Sequence, residues 1–241
     1  MFGRIARGYD RLNSLLSMGL HHRWRRIAVD ACRLPADAHV LDVAVGTGDF
    51  AIEAARRGAS AVGVDPCVPM LEVAAEKLRD LGLTERIRLV VGEAERLPVA
   101  EGRFDAATIG FALRNVTDIG ATFAEMTRAV RPGGRVVALE ISRPRGMVLR
   151  PLFALYFYHL SPWMARLLGG DAEAYAYLPR SVQRFNTREE LAAAMKKAGL
   201  TEAAFRDLSG GMVCVYTGTR PPARPEPEAA APPRSAHATQ A

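Results

Sequence analysis

Cysteine is scarce in this chain: Cys32, Cys67 and Cys214 are the only three in 241 residues, far apart and with no Cys-x-x-Cys pair. That spacing supplies neither a disulfide framework nor a zinc site, and it suits a reducing compartment. No group of His, Asp and Glu has ligand spacing either, so no metal is expected. Aromatic residues make up only 7% of the chain. They form no platform interleaved with the basic residues on which single-stranded nucleic acid would stack. The N-terminus carries charge throughout and has no apolar h-region, which argues against a secretory signal. One apolar stretch, Met147–Leu168, has the length of a membrane span, but Arg150, His159 and Arg166 interrupt it and Pro162 breaks it. Charge at mid-membrane is expensive, so the stretch reads as helices over a hydrophobic pocket. The expectation is a cytoplasmic protein with no integral span.

What is present is enough for one core. At 241 residues and 49% hydrophobic content the chain fits one α/β domain with a tail. Residues 1–37 read as an amphipathic helical lid, with Leu12, Leu15, Leu16 and Leu20 near one face. Residues 38–220 form the main domain. In its first part short apolar runs (His39–Ala44, Ala59–Val64, Ile87–Val91, Ala106–Gly110, Arg135–Ile141) alternate with helical patterns near Phe50–Arg57, Met70–Leu81 and Ile119–Val130. Such alternation predicts a parallel sheet with right-handed crossovers. Residues 143–199 read as a helical cap inserted before the last two strands, and Thr187 with Glu190 makes a capping box. Two strand candidates flank Gly210-Gly211 and predict a closing antiparallel pair. Residues 221–241 collapse to Pro, Ala, Arg and Glu and are expected to be disordered. The formal net charge is +6. Much of it lies early, in Arg4, Arg7, Arg11, Arg23, Arg25, Arg26 and Arg33 against Asp10 and Asp30. A basic patch of this kind meets anionic lipid, nucleic acid or an acidic substrate, or is a solvated helix face.

The chemistry begins at Leu41-Asp42-Val43-Ala44-Val45-Gly46-Thr47-Gly48-Asp49, an apolar strand entering a Gly-rich turn and then a helix. Gly46, Gly48 and Ala51 fit the G-x-G-x-x-G/A dinucleotide pattern, and Asp65 ends the next strand as a ribose-binding acid does. Taken alone this admits an NAD(P)-dependent oxidoreductase. Three features favour S-adenosylmethionine instead. Asp42, at the end of the first strand, suits the ammonium of a methionine moiety better than a pyrophosphate. Glu93 and Ala94 follow the third strand, where a carboxylate and an amide can read an adenine edge. Arg131-Pro132-Gly133-Gly134 precedes the fifth strand, as in class I methyltransferases. The expected fold is therefore a class I S-adenosylmethionine-dependent methyltransferase, a Rossmann-like α/β sheet. Gly110-Phe111-Ala112-Leu113-Arg114-Asn115 then sets an Arg-Asn pair where a parallel strand ends, at the ligand-binding edge.

On these residues the chain resembles the ubiquinone/menaquinone biosynthesis C-methyltransferases, the UbiE/MenG family. The resemblance runs to about Arg220. Its specific blocks are Tyr9-Asp10 with Asn13, Ser17–His21 with Trp24-Arg25, and Leu113–Val116; Leu139–Ser142 and Tyr175–Leu178 also match. It implies cofactor contacts at Thr47, Asp65, Glu93, Ala94 and Gly110. Glu93 stands where Asn is common, Gly110 where Ser occurs, and Arg180 where an acid often precedes the Ser-Val pair. The implied reaction is methyl transfer to a ring carbon of a polyprenylated quinol, most simply demethylmenaquinol, with a benzoquinol or another small acceptor as alternatives.

In that reaction the ring carbon becomes nucleophilic as the adjacent hydroxyl loses its proton. Arg114 is the candidate for phenolate stabilisation, because its guanidinium stays charged. Asn115 is placed to orient it or to bond the second ring oxygen. His159 is the candidate base, since it titrates near neutral pH, with helix packing among aromatics as its alternative role. Tyr175 and Tyr177 are candidates to line the acceptor pocket or bond a quinol oxygen, with core packing as their alternative role. Tyr9, Asp10 and Asn13 are candidates for a lid over the cofactor, Tyr9 and Asn13 also counting as substrate-binding. A lipid-soluble acceptor further implies transient contact with the inner face of a membrane. Nucleic acid is not expected as a partner, and the sequence leaves monomer and homo-oligomer open.

Overall fold

The computed structural model describes residues 2–147, 149–156, 181–183 and 185–222. Helices α1 (Phe2–Leu16) and α2 (Leu20–Ala31) lead into β1 (His39–Val43), α3 (Asp49–Ala55), β2 (Ser60–Asp65), α4 (Val68–Asp80) and β3 (Ile87–Val91). There follow β4 (Phe104–Gly110), α5 (Ile119–Ala129), β5 (Val130–Ile141), α6 (Leu149–Leu155), α7 (Arg188–Lys197), β6 (Thr201–Leu208) and β7 (Val213–Thr219).

The seven strands form one sheet in the order β3-β2-β1-β4-β5-β7-β6. The pairs among β1 to β5 are all parallel, and β7 joins both β5 and β6 antiparallel. The expected closing pair is present, with β7 inserted between β5 and β6. Helices cover both faces, so Val40, Leu41 and Val43 of β1 are buried on either side. One apolar cluster joins α2 and α3 to the sheet, and a second joins α5 and α7 to the opposite face. The strand order reverses between β1 and β4. The crevice beyond their carboxyl ends is where ligands bind in such sheets.

β5 starts at Val130, earlier than the apolar run Arg135–Ile141 indicates. The Arg-Pro-Gly-Gly turn is carried inside the strand, and the pairing with β4 shifts register between Phe104 and Ala106. A side chain on Gly134 would lie 2.8 Å from the Arg131 carbonyl and 2.9 Å from that of Asp105. Arg220 closes this end of the sheet. Its backbone pairs with Gly133 and Gly134, and its guanidinium donates to the carbonyls of Arg128 and Val130 at 2.7 and 2.8 Å. Those carbonyls lie at the C-terminal end of α5, where helical partners run out. The capping box at Thr187 and Glu190 is complete. Among the described residues no helix is long and apolar enough to cross a membrane.

At the end of β4 the Phe50 ring lies against Gly110, so closely that an added Cβ would stand 2.2 Å from Phe50 Cε2. This contact leaves no room for a side chain at Gly110 unless Phe50 moves. Gly110→Ser should therefore cost roughly 1–3 kcal/mol by overpacking. Phe50→Leu in the same chain should recover much of that loss, because the two sites touch. Urea unfolding of both single variants and the double variant checks this coupling; additive losses would show that the ring yields freely.

Candidate active site

Two strand-end carboxylates hold the Gly-rich turn. α3 begins after Gly48, which adopts φ 89° and has no side chain to cap the helix. The orphan amide of Ala51 is instead satisfied by Asp42 of β1, whose Oδ2 accepts it at 3.0 Å. The Thr108 hydroxyl of β4 donates to Asp42 Oδ1 at 3.0 Å. Asp65 of β2 accepts the Gly46 amide at 2.8 Å through Oδ2 and the Cys67 amide at 2.8 Å through Oδ1. Its carboxyl is raised above the usual range by burial, against which the Cys67 and Gly46 amides act. Val45 beside it packs on Gly63, where a Cβ would approach to 2.7 Å.

The backbone at this edge is strained where it must turn sharply. Ala44 follows β1 at φ 54° and Phe111 follows β4 at φ 56°. Such angles cost a non-glycine residue about 1–3 kcal/mol, and they persist where the surroundings fix them. Here the Val45 amide is tied to the Val64 carbonyl at 3.0 Å and the Phe111 amide to the Leu139 carbonyl at 2.7 Å.

Asp42 is 1% exposed and sits beneath the turn, with both oxygens on partners inside the fold. Burial, opposed by the Thr108 and Ala51 hydrogen bonds, pushes its carboxyl up to about 7.

The N-terminal helices are fastened to this turn by charge. The Thr47 hydroxyl donates to Asp10 Oδ1 of α1 at 2.6 Å. Lys77 of α4 bridges Asp10 and Asp49 at 2.7 and 2.5 Å. Asp49, the first residue of α3, also takes Arg25 of α2 at 3.2 Å. Arg25 and His21 contact each other at Nδ1, and the Ser14 hydroxyl lies 3.0 Å from His21 Nε2. Burial, then Arg25, lowers the His21 pKa to about 4, so the ring is neutral and accepts from the guanidinium. Asp49 is held below the ordinary carboxylate range: burial acts upward, and Arg25 and Lys77 outweigh it. Tyr9 and Asn13 are half-buried in this segment, and the Asn13 carbonyl accepts from the Ser17 amide and hydroxyl at 2.9 and 2.6 Å.

Glu93 and Ala94 follow β3, two and three residues beyond the Asp65–Val91 pairing, on the same edge as Asp65. Glu93 is exposed and Ala94 buried. Arg114 lies in the turn after β4, and its side chain is nearly buried in an ion pair with Glu140 of β5 at 2.5 Å. Asn115 is exposed in the same turn. A cleft of about 620 Å³ beside it is lined by Leu113, Arg114, Asp118, Phe185 and Lys197 among others. His159, Tyr175, Tyr177 and Arg180 lie outside the described residues.

Sequence reasoning missed Thr108, Asp49 and Lys77 as site residues, and gave Glu140 no role. Glu140 had a signal: it is an acid at the end of the apolar run Val136–Ile141. Asp49 and Lys77 had none, because their partners come from distant segments.

These residues fit one nucleoside cofactor better than another. A dinucleotide would place its pyrophosphate at the N-terminus of α3, where Asp49 stands. A cationic sulfonium compound suits a turn bordered by Asp65 and Asp49. Above Gly46 an added Cβ would meet nothing within 4 Å, so the turn is open for close approach.

The model of the ubiE/COQ5 methyltransferase family matches residues 1–220. The chain belongs to this family. It is 44% identical over 222 residues, 91% of this chain and 92% of the relative, to a demethylmenaquinone methyltransferase from Roseiflexus sp. strain RS-1. It is 42% identical over 223 residues, with coverages of 91% and 94%, to a ubiquinone/menaquinone biosynthesis C-methyltransferase UbiE from Citrifermentans bemidjiense. Its fold is similar to that of a solved Thermotoga maritima SAM-dependent methyltransferase, a possible histamine N-methyltransferase. The TM-score is 0.64 at 22% identity, covering 91% of this chain and 97% of that one. The fold is thus the class I Rossmann-like one, and the ubiE/COQ5 enzyme is an S-adenosylmethionine-dependent C-methyltransferase.

Two outcomes follow from the carboxylates. The folded-state pKa of Asp42, about 7, lies above its unfolded value. Its contribution to stability is therefore complete below about pH 4 and lost as pH rises through about 7. In Asp42→Asn the new side-chain amide can accept from Ala51 and donate to Thr108 without ionising. The melting temperature of this variant should rise relative to wild type between pH 4.5 and 8.5, by the equivalent of up to roughly 4 kcal/mol. A constant difference across that range would refute the shift. Asp65→Ala should weaken S-adenosylmethionine binding about 100-fold, since charge-assisted hydrogen bonds contribute ~1.5–3 kcal/mol each. Calorimetric titration of the folded variant checks this, and an unchanged affinity would remove Asp65 from the ribose site.

Proposed function

We propose that this enzyme methylates a ring carbon of demethylmenaquinol, giving menaquinol. The observation that carries the reading is a cation fixed at the reacting edge: Arg114, nearly buried in the turn after β4, one strand over from the Gly-rich turn. Bound S-adenosylmethionine supplies an electrophilic methyl group on a sulfonium sulfur. The chain's part is to bind, align and charge the acceptor. Thr47, Asp65, Glu93, Ala94 and Gly110 form the cofactor side, with Asp65 accepting from the ribose hydroxyls and Glu93 from the adenine amino group. Arg114 stabilises the ring oxygen as it becomes phenolate, and Asn115 bonds the second oxygen. Tyr9 and Asn13 belong to the helical lid over the acceptor. His159, Tyr175 and Tyr177 complete the pocket in this proposal. Alignment of two bound reactants contributes up to about 7–11 kcal/mol to such a transfer.

The name of the Roseiflexus relative supports the naphthoquinol, whereas that of the Citrifermentans relative covers ubiquinone biosynthesis as well. Product analysis by mass spectrometry on demethylmenaquinol and on a benzoquinol of equal tail length decides between them. The naphthoquinol should gain one methyl group with kcat/KM at least about tenfold higher, the discrimination a pocket contact supplies. A benzoquinol preference would overturn the acceptor assignment.

A polyprenyl acceptor also requires the enzyme to meet a bilayer. Leu15 and Met18 at the α1–α2 turn, and Leu149, Leu152 and Leu155 of α6, are exposed. The Tyr156 hydroxyl donates to the Leu16 carbonyl at 2.6 Å, which joins these two groups. With the neighbouring arginines they suit reversible contact with an anionic surface, at about 1 kcal/mol per basic residue and screened by salt. Co-sedimentation with phosphatidylglycerol vesicles should be visible at low salt and lost at high salt. Equal absence of binding to neutral and anionic vesicles at low salt would exclude it.

A further inference from the structure

The reaction needs a destination for the proton of the ring hydroxyl, and Glu140 is a buried titratable group with no task in the cofactor or acceptor site described above. It is fully buried at the carboxyl end of β5, one residue past the Gly110–Leu139 pairing with β4. It therefore shares the edge from which Arg114 projects. Its Oε1 is committed to Arg114 and to the Ile141 amide, the latter at 2.9 Å. Its Oε2 is buried with no hydrogen-bond partner among the described residues. A fold that buries an acceptor normally satisfies it, and an exception calls for a reason.

We propose that Glu140 is the proton acceptor for the ring hydroxyl of the quinol, with Arg114 as its partner. The proposal rests on the quinol reading above. In the step, the O–H bond of the hydroxyl breaks, its electron pair stays on the ring oxygen, and the proton forms a new bond to Glu140 Oε2. Before the step the site holds the guanidinium cation, the carboxylate and a neutral hydroxyl. After it the site holds the cation, a neutral carboxylic acid and a phenolate. Net charge in the buried site is unchanged, so no ion crosses into low dielectric. The phenolate inherits the counter-charge of Arg114 that the carboxylate gives up. Over the whole reaction one ring hydrogen is replaced by methyl and one proton leaves.

The test compares wild type with Glu140→Gln, using full-length enzyme, S-adenosylmethionine and demethylmenaquinol. Glutamine keeps the shape and an acceptor for Arg114 but cannot take a proton. Cofactor affinity by calorimetry should stay unchanged and the acceptor KM should move little. kcat should fall by about 100-fold or more, the usual contribution of a general base. The acid limb of the wild-type kcat profile should vanish in the variant. A chlorinated acceptor, with a more acidic hydroxyl, should recover much of the lost rate in E140Q, which a purely structural role would not allow. A variant that retains kcat, or one that loses rate without recovery on the acidic acceptor, overturns the proposal. Should E140Q fail to fold, wild type alone decides. Its acid limb should stay in place with the chlorinated acceptor, because it belongs to the enzyme. A limb that moves with acceptor acidity means that the ring ionises to bulk water and Glu140 is not the base. A wild type that methylates no quinol removes the acceptor reading together with this one. A competent wild type with an unaffected E140Q removes only the Glu140 assignment.

Discussion

Everything at the reacting edge depends on how two carboxylates hold backbone amides. β1 and β2 end side by side, and each delivers one acid to the segment that follows β1. Asp65 accepts the Gly46 amide at the entrance of the turn, and Asp42 accepts the Ala51 amide in the first turn of α3. A helix N-terminus has orphan donors that need partners. Gly48 cannot supply one, and yet its φ of 89° demands glycine. The acceptor comes from the neighbouring strand instead, which locks turn, helix and sheet together. The same two acids leave the space above Gly46 open.

The next layer of structure is electrostatic. Asp49 carries negative charge at the favourable end of α3 and gathers Arg25 and Lys77, while Asp10 gathers Thr47 and Lys77. Four helices thereby meet at one turn. Partly buried charges of this kind are costly to leave unpaired, so α1 and α2 have a defined seat on the domain. Across the edge, the Arg114–Glu140 pair applies the same rule, with Glu140 Oε2 buried and without a hydrogen-bond partner among the described residues.

Much of this was legible in the sequence, because period and punctuation carry fold. The runs at His39–Ala44 and Ile87–Val91 and the capping box at Thr187 are local signals, and the strands and helix follow them to within a residue or two. The Gly-rich turn and Asp65 were readable for the same reason. The insertion of β7 between β5 and β6 was not, since strand order among antiparallel neighbours has no local signature. The early start of β5 was hidden by Pro132 and the two glycines, which read as a turn and are in fact carried within a bulged strand. The bond from Thr108 to Asp42 was not legible, because the two lie 66 residues apart. Asp49 and Lys77 were missed for the same physical reason: a pair joined across 28 residues leaves no spacing to detect. The Phe50–Gly110 contact was not legible either, since it joins α3 to the end of β4.

The central claim is that the turn is set by the protein before any cofactor arrives. Native-state amide exchange of the cofactor-free protein, read residue by residue by NMR, tests it most directly. Exchange reports the free energy of local opening. In a preset turn the amides of Gly46, Ala51 and Cys67 are protected to a degree similar to those of β1, although they lie in a turn, a first helical turn and a loop. Exchange of these three amides at the rate of exposed loops would contradict the claim, and would mean that the turn takes its shape only when the cofactor binds.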